Sequence, residues 1–310
     1  MMVWSSNMLS HITNDFSTPW DYSRNTYLGS LADGTRVTVK RLEMLHLFID
    51  VSYNHEIRRL FSEDVERFSA MKNDDTLLQL PLCVSSSMDD DLCIVTRFQN
   101  SLDACLGDRN AVVLNTGAQR VRAAEGIARD LAELHGRGLL FGRFLAADKV
   151  LVRGDGSAFL TGFCLSAFGY FKAIKNDTPH SIPPEAPETA CHGKYTSASD
   201  VFSLGVIMLR MIAPFEDDPR VLIPRVRPGT VYGMYDVRPE DVPPQEWPNI
   251  VAASFAIASR ARRGKVLPCS WEDATLVEFG TLAMRCIVRD ATDRPTAQHV
   301  VDELVRMLEA

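Results

Sequence analysis

Gly138-Leu-Leu-Phe-Gly-Arg-Phe-Leu-Ala-Ala-Asp-Lys-Val-Leu-Val152, continued by Arg153-Gly-Asp-Gly-Ser-Ala-Phe-Leu-Thr-Gly-Phe-Cys-Leu-Ser166, is the stretch on which the reading of this chain turns. Two short apolar runs, Lys149 to Val152 and Ala158 to Thr161, flank the turn residues Gly154-Asp155-Gly156. Apolar runs joined by a Gly/Asp turn predict a β-hairpin. A segment carrying Arg143 and Asp148 precedes the hairpin, and Gly162-Phe163-Cys164 follows it.

Working outward, the 310 residues can build one large or two modest domains with ample core. A hydrophobic fraction of 46% and a charged fraction of 24% are ordinary for a globular protein. The formal net charge of -7 argues against a general nucleic-acid or anionic-membrane binder. Seven scattered cysteines without a C-x-x-C pair point to reduced thiols in a cytoplasmic protein, not to a disulfide framework or zinc site. The N-terminus shows neither a signal-peptide pattern nor a myristoylation glycine. No apolar run reaches the roughly 18 residues of a membrane span, so no membrane insertion is expected.

Before the hairpin, residues 8 to 18 predict a short helix ending in a polar turn. Tyr27 to Lys40 predicts two strands around an Asp33-Gly34 turn. Ile57, Leu60, Phe61, Val65, Phe68 and Met71 are spaced for a helix within 53 to 72. Strands are predicted at Leu77 to Ser85 and Leu92 to Phe98, and a helix from Val121 to His135.

This order, with its local motifs, resembles the protein kinase superfamily, in particular its plant receptor-like and Pelle-type branch. Thr13-Asn14-Asp15-Phe16-Ser17 resembles the segment just before that domain. Tyr27-Leu28-Gly29 through Val37-Thr38-Val39-Lys40 resembles its second and third strands. Ile127-Ala128-Arg129-Asp130-Leu131-Ala132-Glu133-Leu134-His135 is similar to the family's Ile-Ala-x-Gly-Leu-x-Tyr-Leu-His. Ala186-Pro187-Glu188, Ser199-Asp200-Val201-Phe202-Ser203-Leu204-Gly205 and Asp293-Arg294-Pro295-Thr296 resemble its later motifs. The resemblance implies an α+β, bilobal protein kinase fold: a small β-rich N-lobe with one C-helix and a larger, mostly helical C-lobe. The implied boundaries are an extension over 1–18, an N-lobe over 19–99 and a C-lobe over 100–310.

The resemblance also shows where the chemistry departs. Aligned with the family's His-Arg-Asp-x-Lys-x-x-Asn, Arg143 falls at the base position, Gly142 at the preceding arginine, Leu145 at the lysine and Asp148 at the asparagine. A guanidinium is permanently cationic and cannot accept a proton. Gly162 takes the place of the magnesium carboxylate of Asp-Phe-Gly. Counting back from Gly29, the phosphate loop's glycines fall at about Pro19, Asp21 and Arg24; proline removes an N–H and Asp21 brings negative charge. Lys40 survives, and Thr96 stands at the position controlling the back of the nucleotide pocket. Asp64 aligns with the helix glutamate that would pair with Lys40, with Glu56 and Glu63 as rivals. Glu188 and Arg294 are expected to pair, and Asp200 to hold the catalytic loop, as fold residues.

The implied protein is a pseudokinase with no cofactor, in which ATP binding is weak or absent, and no metal site. It would be a signalling scaffold or allosteric adaptor for other proteins. Members of this branch that act as adaptors suggest an active kinase or an NLR-type immune receptor as partner, in plant immunity. The alternative is a divergent Ser/Thr kinase or a metal-independent nucleotide-binding switch. Thr178 and Ser181 are candidate phosphoacceptors, the Pro-rich stretch 214–248 a candidate partner surface, and Arg260 to Lys265 a small basic patch.

Overall fold

A computed structural model gives the architecture. It describes residues 5–19, 26–42, 55–56, 58–63, 83–85, 92–107, 113–142, 145–160, 186–192, 195–212 and 270–310. The chain divides into two compact units, Met1–Gln99 with Thr161–His180, and Asn100–Leu160 with Ser181–Ala310. A sheet-bearing first unit and a mainly helical second one make the α+β, bilobal fold.

In the first unit, helix α1 (Ser6–Ile12) precedes strands β1 (Thr26–Ser30), β2 (Arg36–Leu42), β3 (Cys83–Ser85) and β4 (Leu92–Arg97). They form one antiparallel sheet in the order β1-β2-β4-β3. The β1–β2 turn closes because Asp33 accepts the Thr35 N–H at 2.9 Å and Gly34 adopts φ +82°. Only glycine takes that φ without a steric penalty. Residues 58–63 are helical, with Phe61 buried.

Alternation along β2 sets up the two faces of the sheet. Val37 and Val39, with Cys93 and Val95 of β4, form a core closed by Leu9 of α1, with Ile12, Phe16 and Leu31 packed around it. Residues of the 1–18 extension therefore complete the core of the first unit. The chain leaves α1 through three left-handed residues, Asn14 (φ 50°), Asp15 (φ 54°) and Phe16 (φ 55°). The buried Thr13 hydroxyl steadies this turn, donating to the Leu9 carbonyl at 2.7 Å and accepting the Phe16 N–H at 3.2 Å. Phe16 then meets Tyr27 edge-on, 5.1 Å between centroids, under the Arg41 guanidinium at 4.1 Å. Gly29 is required beneath it, since a Cβ there would lie 2.9 Å from the Ile12 carbonyl oxygen.

The second unit opens with β5 (Asn100–Ser101) and α2 (Leu102–Gly107) and continues into α3 (Gly117–Gly136). A 3-10 turn (Ala147–Lys149) leads to β6 (Val150–Val152) and β7 (Ala158–Leu160). Then come α4 (Pro187–His192), α5 (Ser197–Ile212), α6 (Asp273–Cys286), a 3-10 turn (Ala291–Asp293) and α7 (Ala297–Glu309). The three short strands pair antiparallel in the order β5-β6-β7. Lys149 closes the 3-10 turn and does not begin the strand, one residue later than the sequence predicts. The hairpin turn repeats the first one: Asp155 accepts the Ser157 N–H at 2.9 Å and Gly156 adopts φ +86°.

Helix α3 begins four residues before its apolar periodicity. Thr116 caps it, accepting the Gln119 N–H at 3.3 Å, while the Gln119 side chain accepts the Thr116 N–H at 3.3 Å. This capping box satisfies two otherwise orphaned donors. Val121, Ala124, Ile127, Ala128, Leu131 and Leu134 are all buried, and α3 packs on α7, β7 and α5. Helix α5 is apolar on nearly every side and buried along most of its length, so it serves as the axis of this unit. Gly205 lets α6 cross it closely, because a Cβ there would meet Cys286 Cβ at 2.6 Å.

Candidate functional site

The segment from His135 to Gly142 is built onto α5 through one buried side chain. Asp200, in the first turn of α5 and 1% exposed, accepts the Phe141 N–H through Oδ2 at 2.8 Å and the Gly142 N–H through Oδ1 at 2.8 Å. His135, at the end of α3, donates through Nε2 to Oδ2 at 3.0 Å. A buried carboxylate needs such donors, and the N-terminus of α5 adds a favourable dipole. Gly142 holds φ +81°, with nothing within 4 Å of where its Cβ would be. The constraint at this position is thus backbone conformation, not space. His135 is part of this anchor, a role the sequence reading did not assign; its signal was the histidine ending the α3 motif.

A second anchor joins α4 to the last third of the chain. Glu188 and Arg294 form a bidentate pair, Nη1 to Oε1 at 2.7 Å and Nη2 to Oε2 at 2.9 Å. The Arg294 side chain is fully buried. It also donates to the carbonyls of Val288 (2.8 Å), Ala198 (2.9 Å) and Arg289 (3.0 Å) and lies 5.0 Å above the Phe202 ring. Ser199 donates to Glu188 Oε1 at 2.8 Å. Burial pushes the Glu188 carboxyl up, but the hydrogen bonds and charge of Arg294 outweigh it and hold it below the usual range. Fork-to-fork geometry with remaining donors satisfied is the condition under which a buried pair holds together.

In the first unit, Lys40 lies on β2, opposite Thr26 of β1 and Ile94 of β4. Its backbone alternates with Val37 and Val39, which places it on the face of the sheet away from α1. Thr96 stands opposite Thr38 in the same register. Both rivals for the helix carboxylate are engaged by Arg59. Arg59 donates to Glu56 at 2.5 and 2.8 Å and also pairs with Glu63. The Arg59 hydrogen bond holds the Glu56 carboxyl below its ordinary range. Pro19 bridges antiparallel to Tyr27 of β1.

Asp148 falls in the 3-10 turn before β6. Asp64, Arg143 and Gly162 lie outside the described residues, as do Asp21, Arg24, Thr178, Ser181 and the stretches 214–248 and 260–265. Among the described residues no group of three or more His, Cys, Asp or Glu side chains is arranged to hold a metal ion. Nor is any described helix long and apolar enough to cross a membrane.

The profile of the family described as "Protein tyrosine and serine/threonine kinase" matches residues 27–304. Among curated proteins, the chain is similar to cysteine-rich receptor-like protein kinase 19 of Arabidopsis thaliana, 23% identical across 91% of this chain and 41% of that one. It is similar to the probable LRR receptor-like serine/threonine-protein kinase RKF3 of the same plant, 25% identical across 69% of this chain and 35% of that protein. A putative proline-rich receptor-like protein kinase, PERK11, is 30% identical across 60% of this chain and 25% of its own length. The chain spans less than half the length of each of these relatives. With the profile covering most of its length, the chain belongs to the protein tyrosine and serine/threonine kinase family and has plant receptor-like kinases among its homologues.

Proposed function

We propose that this protein is a catalytically inactive kinase-family member that acts in signalling as a protein-interaction scaffold or allosteric adaptor. One observation carries the reading. Asp200 holds the Phe141 and Gly142 amides in place, yet the next residue of that loop is Arg143 where the family has its proton-accepting Asp. Phosphoryl transfer rests on positioning and on charges aimed at the transferring group. A cation at the base position and a glycine, Gly162, at the metal carboxylate remove both contributions while the fold contacts of Asp200, Glu188 and Arg294 remain. A fold kept without its chemistry is suited to binding other proteins. An active kinase or an NLR-type immune receptor is the partner class we propose, in the cytoplasm, with lobe movement or ordering of a segment as the switch.

The test is transfer of labelled γ-phosphate by the purified chain to itself and to generic acceptors, with magnesium, beside Lys40→Met. No transfer above the variant is expected. Magnesium-dependent transfer abolished in Lys40→Met would overturn the reading and favour a divergent Ser/Thr kinase. Lys40 on the face of the sheet opposite α1 favours a second reading, a nucleotide-binding switch that works without metal. Thermal melting with ATP, with and without magnesium, separates the two. Ligand at 100 times its Kd stabilises by about 2.7 kcal/mol, so a shift that does not need magnesium favours the switch.

A further inference from the structure

Asp130 is a buried acid that neither anchor uses. It stands on α3 where the similar family motif has glycine, and it is 1% exposed. Its Oδ2 accepts the Leu160 N–H at 2.7 Å. Among the described residues strand β7 pairs with β6 alone, and the Leu160 amide points from it to α3. That amide would be an orphaned buried donor without Asp130. Four residues earlier on the same helix, Gly126 lies against the Ala158 carbonyl so closely that a Cβ would come within 2.1 Å of its oxygen. The helix and strand therefore meet without a layer of water between them at Gly126. Asp130 Oδ1 is buried and has no hydrogen-bond partner among the described residues.

A neutral acid tolerates that position better than a charged one. An unpartnered buried hydroxyl costs far less than an unpartnered buried charge. We propose that Asp130 is a protonation-controlled clasp, which as the neutral acid closes α3 onto β7 and on losing its proton draws water to Oδ1 and parts the two. The charges around it agree. Burial pushes the carboxyl up to about 8, partly offset by the Leu160 N–H; Glu125 of α3 adds to the rise, while Arg153 before the hairpin turn and Arg129 of α3 oppose it. Strand β7 brings no ionisable side chain. On the other helices packed against α3, Asp200 is engaged with the loop, Arg210 with Asp103, Arg306 with Glu278 and Glu303, Arg285 and His299 with Glu303, and Asp302 with Gln298. The device places a pH response two residues before Gly162 in the sequence, and it is independent of whether the chain transfers phosphate.

The test is a carboxyl-carbon titration of Asp130 by NMR in the intact wild-type chain, with amide exchange at Leu160 followed over the same range. Denaturation of wild type and Asp130→Asn is measured in parallel. The Asp130 resonance is expected to titrate near pH 8, and Leu160 exchange, corrected for its intrinsic rate, to speed up in the same interval. By linkage, the wild-type unfolding constant should rise relative to Asp130→Asn by up to about tenfold per pH unit between pH 5 and 7, then level off above pH 9. A resonance already in the ionised position at pH 6 overturns the proposal, whether or not the variant folds. Parallel denaturation profiles for the two proteins overturn it as well.

Discussion

The carboxylate of Asp200 accepts the backbone N–H of Gly142 at 2.8 Å, and Gly142 meets it in a left-handed conformation, φ +81°. The two residues are 58 positions apart in sequence. The bond holds the Gly142 backbone in that conformation, so the glycine and the aspartate act as one device. Because the space around Gly142 is open, Gly142→Ala tests conformation alone. It is expected to destabilise by about 1–2 kcal/mol, and Gly142→Asn by less, since Asn visits the left-handed region more readily. Equal stability of all three proteins in urea denaturation would show that the turn relaxes freely.

Asp200→Ala removes three acceptor contacts at once. It leaves the Phe141 and Gly142 amides and the His135 imidazole without their partner. Each buried orphan costs about 1–3 kcal/mol, so the variant is expected to unfold at a clearly lower urea concentration. Asp200→Asn keeps one acceptor oxygen and should fall between. Amide exchange separates a local from a global effect: protection should be lost first at Phe141 and Gly142, while Leu204 and Val206 in α5 hold theirs.

How much of this was legible in the sequence follows from where each signal resides. Local turns were open to reading, because Asp33-Gly34 and Asp155-Gly156 each combine a side-chain acceptor with a residue free to take positive φ. The start of α3 was not read, since the Thr116–Gln119 box precedes the apolar periodicity from which that helix was inferred. The Glu188–Arg294 contact spans 106 positions and has no local signature; only family motifs at both ends make it nameable. Asp130 was visible as a departure from a glycine position, but its burial depends on how closely Gly126 approaches β7, a tertiary fact. The left-handed Asn14-Asp15-Phe16 turn runs against the preferences of Phe and is sustained by the Thr13 hydroxyl and the packing of Phe16.

Two glycines of α3 give opposite expectations. Gly126→Ala drives a methyl group into the Ala158 carbonyl and must separate the helix from β7, at a cost of about 1–3 kcal/mol. Gly136, at the end of the same helix, has nothing within 4 Å of its Cβ position. Gly136→Ala is expected to be neutral or to stabilise by about 0.5–1 kcal/mol through the unfolded chain. Melting temperatures of the two variants check this directly, and a similar loss in both would mean that α3 is limited by something other than its contact with β7.

The Glu188–Arg294 pair gives the acid side of the stability profile. Glu188 sits below its usual range, so the folded protein holds this proton less tightly than the unfolded chain does. Its contribution is therefore present above the unfolded value of 4.5 and is lost as pH falls through the folded value beneath it. Glu188→Gln should flatten the decline of melting temperature below about pH 4.5 while lowering it at pH 7. Arg294→Ala leaves Glu188 with only the Ser199 hydroxyl and the carbonyls of Val288, Ala198 and Arg289 without the guanidinium, and breaking a buried pair costs about 3–5 kcal/mol. A double-mutant cycle separates the pair from these carbonyl contacts. If the double variant is no less stable than Arg294→Ala alone, Glu188 is held chiefly by Arg294; additive losses would assign the stability to the carbonyls and to Ser199 instead.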